Sequence, residues 1–214
     1  MKTILLIGLG RFGSTMAMKL HELGHEVMAI DTSEERINAV LPYVTSAQIG
    51  DCTNEHYMNS LGIRNFDLCV VAIGDNFQSS LEITSLLKEQ GARFVVSRAS
   101  RDIHAKFLLR NGADQVVYPE KDMAIRAAVR FSSDNIFDYI ELTPEHSIYE
   151  IPVPENWIGK TILDVNVRRK YNLSILAIKY DETLHPMPGA DYVFKPKDAM
   201  VILGANRDIN RFVQ

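Results

Sequence analysis

The sequence offers little sulfur chemistry. Cys52 and Cys69 are its two cysteines; they form no Cys-x-x-Cys pair, and no His or Cys stands at metal-ligand spacing. A disulfide framework and a structural zinc site are therefore excluded, and free thiols in a reducing compartment are expected. Long apolar runs are missing too. Residues 68–73 form one of the longest, far short of the roughly 20 residues a bilayer crossing needs. Met1-Lys2 and the apolar residues 3–7 start like a secretion signal, but Gly8-Leu9-Gly10-Arg11 interrupts them and no small-residue cleavage site follows, so 3–7 reads as a strand. Excess positive charge is also lacking. Lys and Arg number 23 against 27 Asp and Glu, a net charge of −4. That balance argues against an electrostatic grip on nucleic acid or on anionic lipid. Hydrolase and nucleotide-hydrolysis motifs are missing as well: there is no Gly-x-Ser-x-Gly, no Ser–His–Asp order and no Walker lysine.

What is present is an ordinary globular composition, 46% hydrophobic and 23% charged, on a chain long enough to bury a sizeable core. Short apolar runs at 3–7, 26–30, 47–49, 68–73, 94–97 and 115–118 alternate with helical patterns at 12–23, 33–41, 54–61, 77–90 and 103–110. Strands of four to seven residues separated by helices specify βαβ units and a parallel sheet. Continuous apolar runs such as Cys69-Val70-Val71-Ala72-Ile73 suit strands covered on both faces. Gly24, Gly91 and Gly112 follow helical runs, where a left-handed residue is wanted. Residues 120–139 read as one longer amphipathic helix, and Thr143-Pro144-Glu145-His146 as a linker. A smaller unit follows, with strands at 147–153, 173–180, 190–194 and 199–203, helices at 161–171 and 206–213, and a hairpin turn at 195–198. The division expected is 1–140 and 141–214. The fold class is α/β: a Rossmann-like doubly wound parallel sheet, then a small α+β domain.

The chemistry concentrates at strand ends of the first part. Gly8-Leu9-Gly10-Arg11-Phe12-Gly13 follows a strand and opens a helix, and Asp31 ends the next strand. In that setting Gly8 permits the tight turn, Gly10 the approach of phosphate and Gly13 close helix–strand packing. The helix N-terminus supplies N–H donors for phosphates. Asp31 should accept from ribose hydroxyls and repel a 2′-phosphate, which disfavours NADP. Arg11 is either a phosphate ligand or a solvated surface arginine. Asp51 and Cys52 lie where adenine would be met, while Thr53 also suits a helix cap. Cys69, inside an apolar run, reads as core. Ile73-Gly74-Asp75 and Arg98-Ala99-Ser100 end later strands at the same rim. Glu120 either faces phosphates through a bridging cation or stabilises a helix N-terminus. His104 reads as exposed, with capping its helix or lining the pocket as alternatives. A dehydrogenase would need a substrate domain with an acid or base. From Ser147 onward only His185 titrates near neutral pH, so a binding module outranks an enzyme.

Together Gly8–Gly13 with Arg11, Asp31, Gly50-Asp51, Ala72-Ile73-Gly74, Gly112-Ala113-Asp114 and Pro119-Glu120-Lys121-Asp122-Met123 resemble the RCK (regulator of potassium conductance) family. The closer resemblance is to cytosolic gating subunits of Ktr/Trk-type potassium uptake systems. It extends past Ser147, through Gly159-Lys160-Thr161, Arg168 and the 198–204 strand, to a small C-terminal RCK domain. The resemblance implies a non-enzymatic regulatory subunit that holds ATP or ADP, with NAD or NADH as the alternative ligand. A small NAD-dependent oxidoreductase is the alternative function. The implied nucleotide residues are Gly8, Gly10, Arg11, Phe12, Gly13, Asp31, Asp51, Cys52, Ile73, Gly74, Asp75, Arg98, Ala99, Ser100, His104 and Glu120. Glu120 would also hold Mg2+ or Ca2+ beside ATP. Arg98 stands where relatives carry lysine, which keeps the charge and changes the geometry. The implied partners are a membrane-embedded potassium transporter subunit and further copies of the chain, a homodimer assembling into an octameric ring, with no nucleic acid. The implied location is cytoplasmic, against the inner face of the membrane through the transporter. A second ligand, cyclic di-AMP, is implied at Val167, Arg168 and Pro188.

Overall fold

A computed structural model describes residues 1–181 and 183–213. They pack into two units, Met1–Lys121 and Asp122–Gln214. The first unit contains strands β1 (Thr3–Ile7), β2 (Glu26–Asp31), β3 (Ser46–Ile49), β4 (Leu68–Val71), β5 (Val95–Arg98) and β6 (Gln115–Val117), and helices α1 (Arg11–Glu22), α2 (Glu34–Val40), α3 (Glu55–Ser60), α4 (Phe77–Glu89) and α5 (Asp102–Arg110). The sheet order is β3-β2-β1-β4-β5-β6 and every pairing is parallel. Chain order reverses between β1 and β4, so a crevice opens beyond the carboxyl ends of the central strands. Successive strand residues feed opposite faces. Leu5, Ile7, Cys69 and Val71 pack on Ile83 and Leu87, whereas Ile4, Leu6, Val70 and Ala72 pack on Ala17 and Ile37. Both faces are covered, which is why the strands read as unbroken apolar runs. Each fully buried Leu or Ile contributes about 1.5–3 kcal/mol. Gly24, Gly91 and Gly112 all take positive φ after their helices, as expected.

Helix α6 (Pro119–Phe131) starts at the end of the first unit and continues into the second. The second unit contains β7 (Asp138–Thr143), β8 (His146–Pro152), α7 (Ile162–Val165), α8 (Val167–Tyr171), β9 (Ser174–Tyr180), β10 (Thr183–Pro186), β11 (Ala199–Ala205) and α9 (Asn206–Val213). Its antiparallel sheet runs β10-β9-β11-β8-β7. Ile151, Ile178, Met200 and Ile202 line the buried face, and Trp157 stacks among Tyr171, Phe194 and Phe212 at ring distances of 5.3–5.6 Å. Among the described residues no helix is long and apolar enough to cross a membrane.

The expected fold class holds, with four local corrections. The helix expected to reach Tyr139 stops at Phe131, because Ser132-Ser133-Asp134-Asn135 bond the backbone in turns better than in helices. Asp138–Thr143 is instead a strand, its Tyr139 ring packed 5.0 Å from Tyr149. The expected linker at 143–146 is a hairpin turn: Thr143 pairs with His146 as β7 folds back on β8. The helix expected over 161–171 breaks at Asn166, whose φ of 54° is left-handed. Residues 190–194 form no strand beyond a bridge of Val193 to Thr161. β9 pairs with β11 on one side and on the other with β10, an edge strand where Pro186 is tolerated. Residues 195–198 do turn, with the Asp198 carboxylate accepting from the Lys195 N–H at 2.8 Å, but with no strand at 190–194 they close no hairpin.

Candidate nucleotide site

A cleft of about 450 Å3 opens at the carboxyl ends of β1, β2, β4 and β5. Two glycines of the loop between β1 and α1 tolerate no side chain. Gly8 holds φ +93°, donates to the Ile30 carbonyl at 2.8 Å, and would bring any Cβ to 2.8 Å from Ile73. A Cβ on Gly13 would run into the Gly8 carbonyl oxygen. Gly10 lines the cleft and is the extended N-cap of α1, where no side chain caps the helix. By contrast Ser33, Asn54 and Asn76 each cap their own helix. The amides of the first turn of α1 are thus left for an anionic ligand, with the positive end of the helix dipole behind them.

Asp31 ends β2 with a buried carboxylate. Oδ2 accepts from the Leu9 N–H at 2.6 Å and Oδ1 from the Ser33 N–H at 2.8 Å, and the Arg36 guanidinium lies 3.6 Å away. These bonds fix the carboxylate and leave lone pairs for a pair of vicinal hydroxyls. Asp51 is locked by Thr53, whose hydroxyl at 2.7 Å and N–H at 2.9 Å hold its carboxyl below the usual carboxylate range. The cap of α3 is Asn54 rather than Thr53. Burial, aided by the Asp51 and Asp31 charges, pushes the Cys52 thiol up to about 12, so it lines the cleft as a protonated apolar group. Cys69 is core, as expected. Arg98 leaves β5 and lies so close to Gly74 that a Cβ there would come within 2.8 Å of its Cζ. Nη2 donates to Glu120 on the first turn of α6, while the buried Nε has no acceptor.

Of the expected residues, Gly8, Gly10, Asp31, Asp51, Cys52, Ile73, Gly74, Asp75 and Arg98 line this cleft. Arg11 is exposed on the first turn of α1, and its charge helps hold the Glu120 carboxyl down after that residue's own backbone N–H and Arg98. The Phe12 ring lies 5.8 Å from the Arg98 guanidinium, beside the cleft. Ala99 is core and Ser100 is exposed; neither lines the cleft. His104 is not exposed. It is fully buried between α4 and α5, 3.3 Å from Ser80 and 4.9 Å from the Phe77 ring. Glu120 meets Arg98, and among the described residues no group of three potential metal ligands exists. A cation there would take most of its ligands from phosphate and water. Sequence reasoning missed Thr32 beside the end of β2, Ser79 on the first turn of α4 and Arg36 on α2, and gave Thr53 only a capping role. For Thr32 and Thr53 the signal was closeness to a strand end; for Ser79 and Arg36, both on helices, there was none.

In the second unit the break at Asn166 opens a pocket of about 580 Å3. Val167, Arg168 and Pro188 all line it, with Ser174 and Ile175 from β9. Val167 is buried and Arg168 exposed, so the pocket pairs an apolar wall with a cationic rim.

The TrkA-N domain family matches residues 4–119 and the TrkA-C domain family residues 147–214. The chain is 42% identical over 211 residues to Ktr system potassium uptake protein A of Bacillus subtilis, covering 99% of this chain and 95% of that protein. It is 28% identical over 203 residues to the protein of the same name from Vibrio alginolyticus, covering 95% and 92%. Among solved structures the GsuK RCK domain aligns with a TM-score of 0.69 at 17% identity, over 99% of this chain and 47% of that one. A GsuK channel bound to NAD aligns with a TM-score of 0.69 at 17% identity, over 97% and 38%. With both family domains in order and a full-length relative at 42% identity, the chain belongs to the TrkA-type family of potassium-uptake proteins, a TrkA-N domain followed by a TrkA-C domain.

Proposed function

We propose that the chain is a regulatory subunit that gates a membrane-embedded potassium transporter according to the adenine nucleotide it holds. One observation carries this reading. The uncapped N-terminus of α1, the fixed Asp31 carboxylate and the Arg98 guanidinium converge on one cleft that presents no acid–base pair to a substrate. Asp31 is fixed by one amide on each oxygen and Cys52 stays protonated, so the site suits holding a ligand rather than transforming it. ATP or ADP fits the phosphate donors; NAD or NADH would use the same ribose acceptor, and a solved GsuK channel carries NAD. The oxidoreductase alternative would need a substrate domain with an acid or base, and the match of residues 147–214 to a TrkA-C domain favours the regulatory reading over it. Mg2+ or Ca2+ would bridge Glu120 to the phosphates of ATP.

The assembly this reading implies is a homodimer built into an octameric ring, cytoplasmic and held to the membrane through the transporter. Ring shapes would be biased by the differential affinity of the nucleotides for them. The Asn166 pocket suits a dianion shared across a two-fold axis, with Arg168 of each copy at its rim, and cyclic di-AMP is the ligand assigned to it.

The test is potassium flux into vesicles that contain a Ktr-type membrane subunit with this chain added. ATP and ADP should give flux rates that differ severalfold, and Asp31→Asn should remove the difference. Flux that is indifferent to nucleotide would overturn the proposal.

A further inference from the structure

Arg98 and Glu120 are unequal members of their ion pair. The Arg98 side chain is 14% exposed, backed by Gly74 and by the Phe12 ring. The Glu120 side chain is 59% exposed. Water competes easily for the carboxylate and poorly for the guanidinium, so Glu120 is the member free to leave. The pair also leaves Arg98 incompletely satisfied. Only Nη2 meets Glu120, and the buried Nε finds no acceptor. A buried charged donor without a partner bears its full desolvation penalty. A phosphate group, with several acceptor oxygens in a geometry that suits a guanidinium fork, can satisfy both nitrogens at once.

We infer that Glu120 is a displaceable stand-in for a ligand phosphate: a phosphate of the bound nucleotide takes Arg98 and sets the Glu120 carboxylate free. This rests on the adenine-nucleotide reading and deepens it by assigning a regulatory exchange to the same site. Adenosine, with no phosphate, leaves the pair intact. The energy needed to part the two groups is therefore charged to phosphate binding alone. Glu120 stands on the first turn of α6, the helix on which the chain passes from the first unit into the second. Occupancy of the cleft is thereby converted into a change of charge at the start of that helix. A freed carboxylate beside phosphates is also what a divalent cation would then retain.

The experiment is calorimetric titration of the nucleotide-free full chain, in chelator, with adenosine and with ATP. Wild type, Glu120→Gln, Arg98→Ala and the double variant complete a cycle. Glu120→Gln should tighten ATP roughly two- to fivefold and leave adenosine unchanged. In the Arg98→Ala background the same substitution should give less than half that gain, because no pair remains to be parted. An equal gain in both backgrounds would reduce Glu120 to plain charge repulsion and overturn the exchange. So would no gain, or an equal gain for adenosine. A wild-type chain that binds neither ligand would overturn the nucleotide reading itself, a result distinct from normal binding with an additive cycle.

Discussion

His104 Nδ1 lies 3.4 Å from the Ser100 N–H, and Nε2 lies 3.3 Å from the Ser80 hydroxyl. Nδ1 is then the acceptor, and the proton of the neutral ring sits on Nε2. Burial, reinforced by the Arg101 charge, holds its pKa below the ordinary value. A histidine whose folded pKa is depressed contributes stability in full above its unfolded pKa, and that contribution is lost as pH falls through the folded value. The urea midpoint should therefore drop as pH is lowered from about 6.5 to 5, and His104→Gln should flatten the slope in that window. Parallel slopes for the two proteins would contradict this role. The burial of His104 was not legible in the sequence, because it depends on Ser80 and Phe77 arriving from α4. Gly8 and Gly13 were legible because the turn and the close helix–strand approach admit no Cβ there, and Gly10 and Asp31 because they stand at the motif's spacing. Arg36 was not, being brought to Asp31 only by the orientation of α2.

The central parallel strands could be read nearly residue by residue, because strands covered on both faces write themselves as apolar runs; the edge strands β3 and β6 are more exposed and polar. The second unit was harder. A capping box of Thr161 and Asp164 announces α7, but nothing nearby announces the left-handed Asn166 that ends it one turn later. The stop of α6 is sealed by Arg126 bonding Asp138, a pairing twelve residues apart that crosses a turn and follows no helical spacing. Asn166, where α7 and α8 part, lines the pocket with Arg168, so the break lies at the proposed second ligand site. Titrating the full chain with cyclic di-AMP should give one ligand per two chains, with binding lost or weakened at least tenfold in Arg168→Ala. Heat that is unchanged by that substitution would remove Arg168 from the site.

At the scale of the whole chain, the first unit supplies a doubly wound sheet with a ligand crevice at its reversal point, and the second an antiparallel sheet with its own aromatic core. The net charge of −4 argues against an electrostatic grip on nucleic acid, and the regulatory reading proposed above calls for a protein partner instead. Everything proposed for its action depends on adenine nucleotide occupying the crevice between Gly8, Asp31 and Arg98. The most direct measurement is the melting temperature of the full chain with ATP, ADP, NADH and NADPH, repeated with Asp31→Asn. Ligand at 100 times its Kd adds about 2.7 kcal/mol to the folded state. ATP and ADP should give the largest rises and NADPH the smallest, and Asp31→Asn should erase most of the rise with ATP, ADP and NADH while leaving that with NADPH unchanged or larger. No rise with any of the four, or the largest with NADPH, would contradict the account.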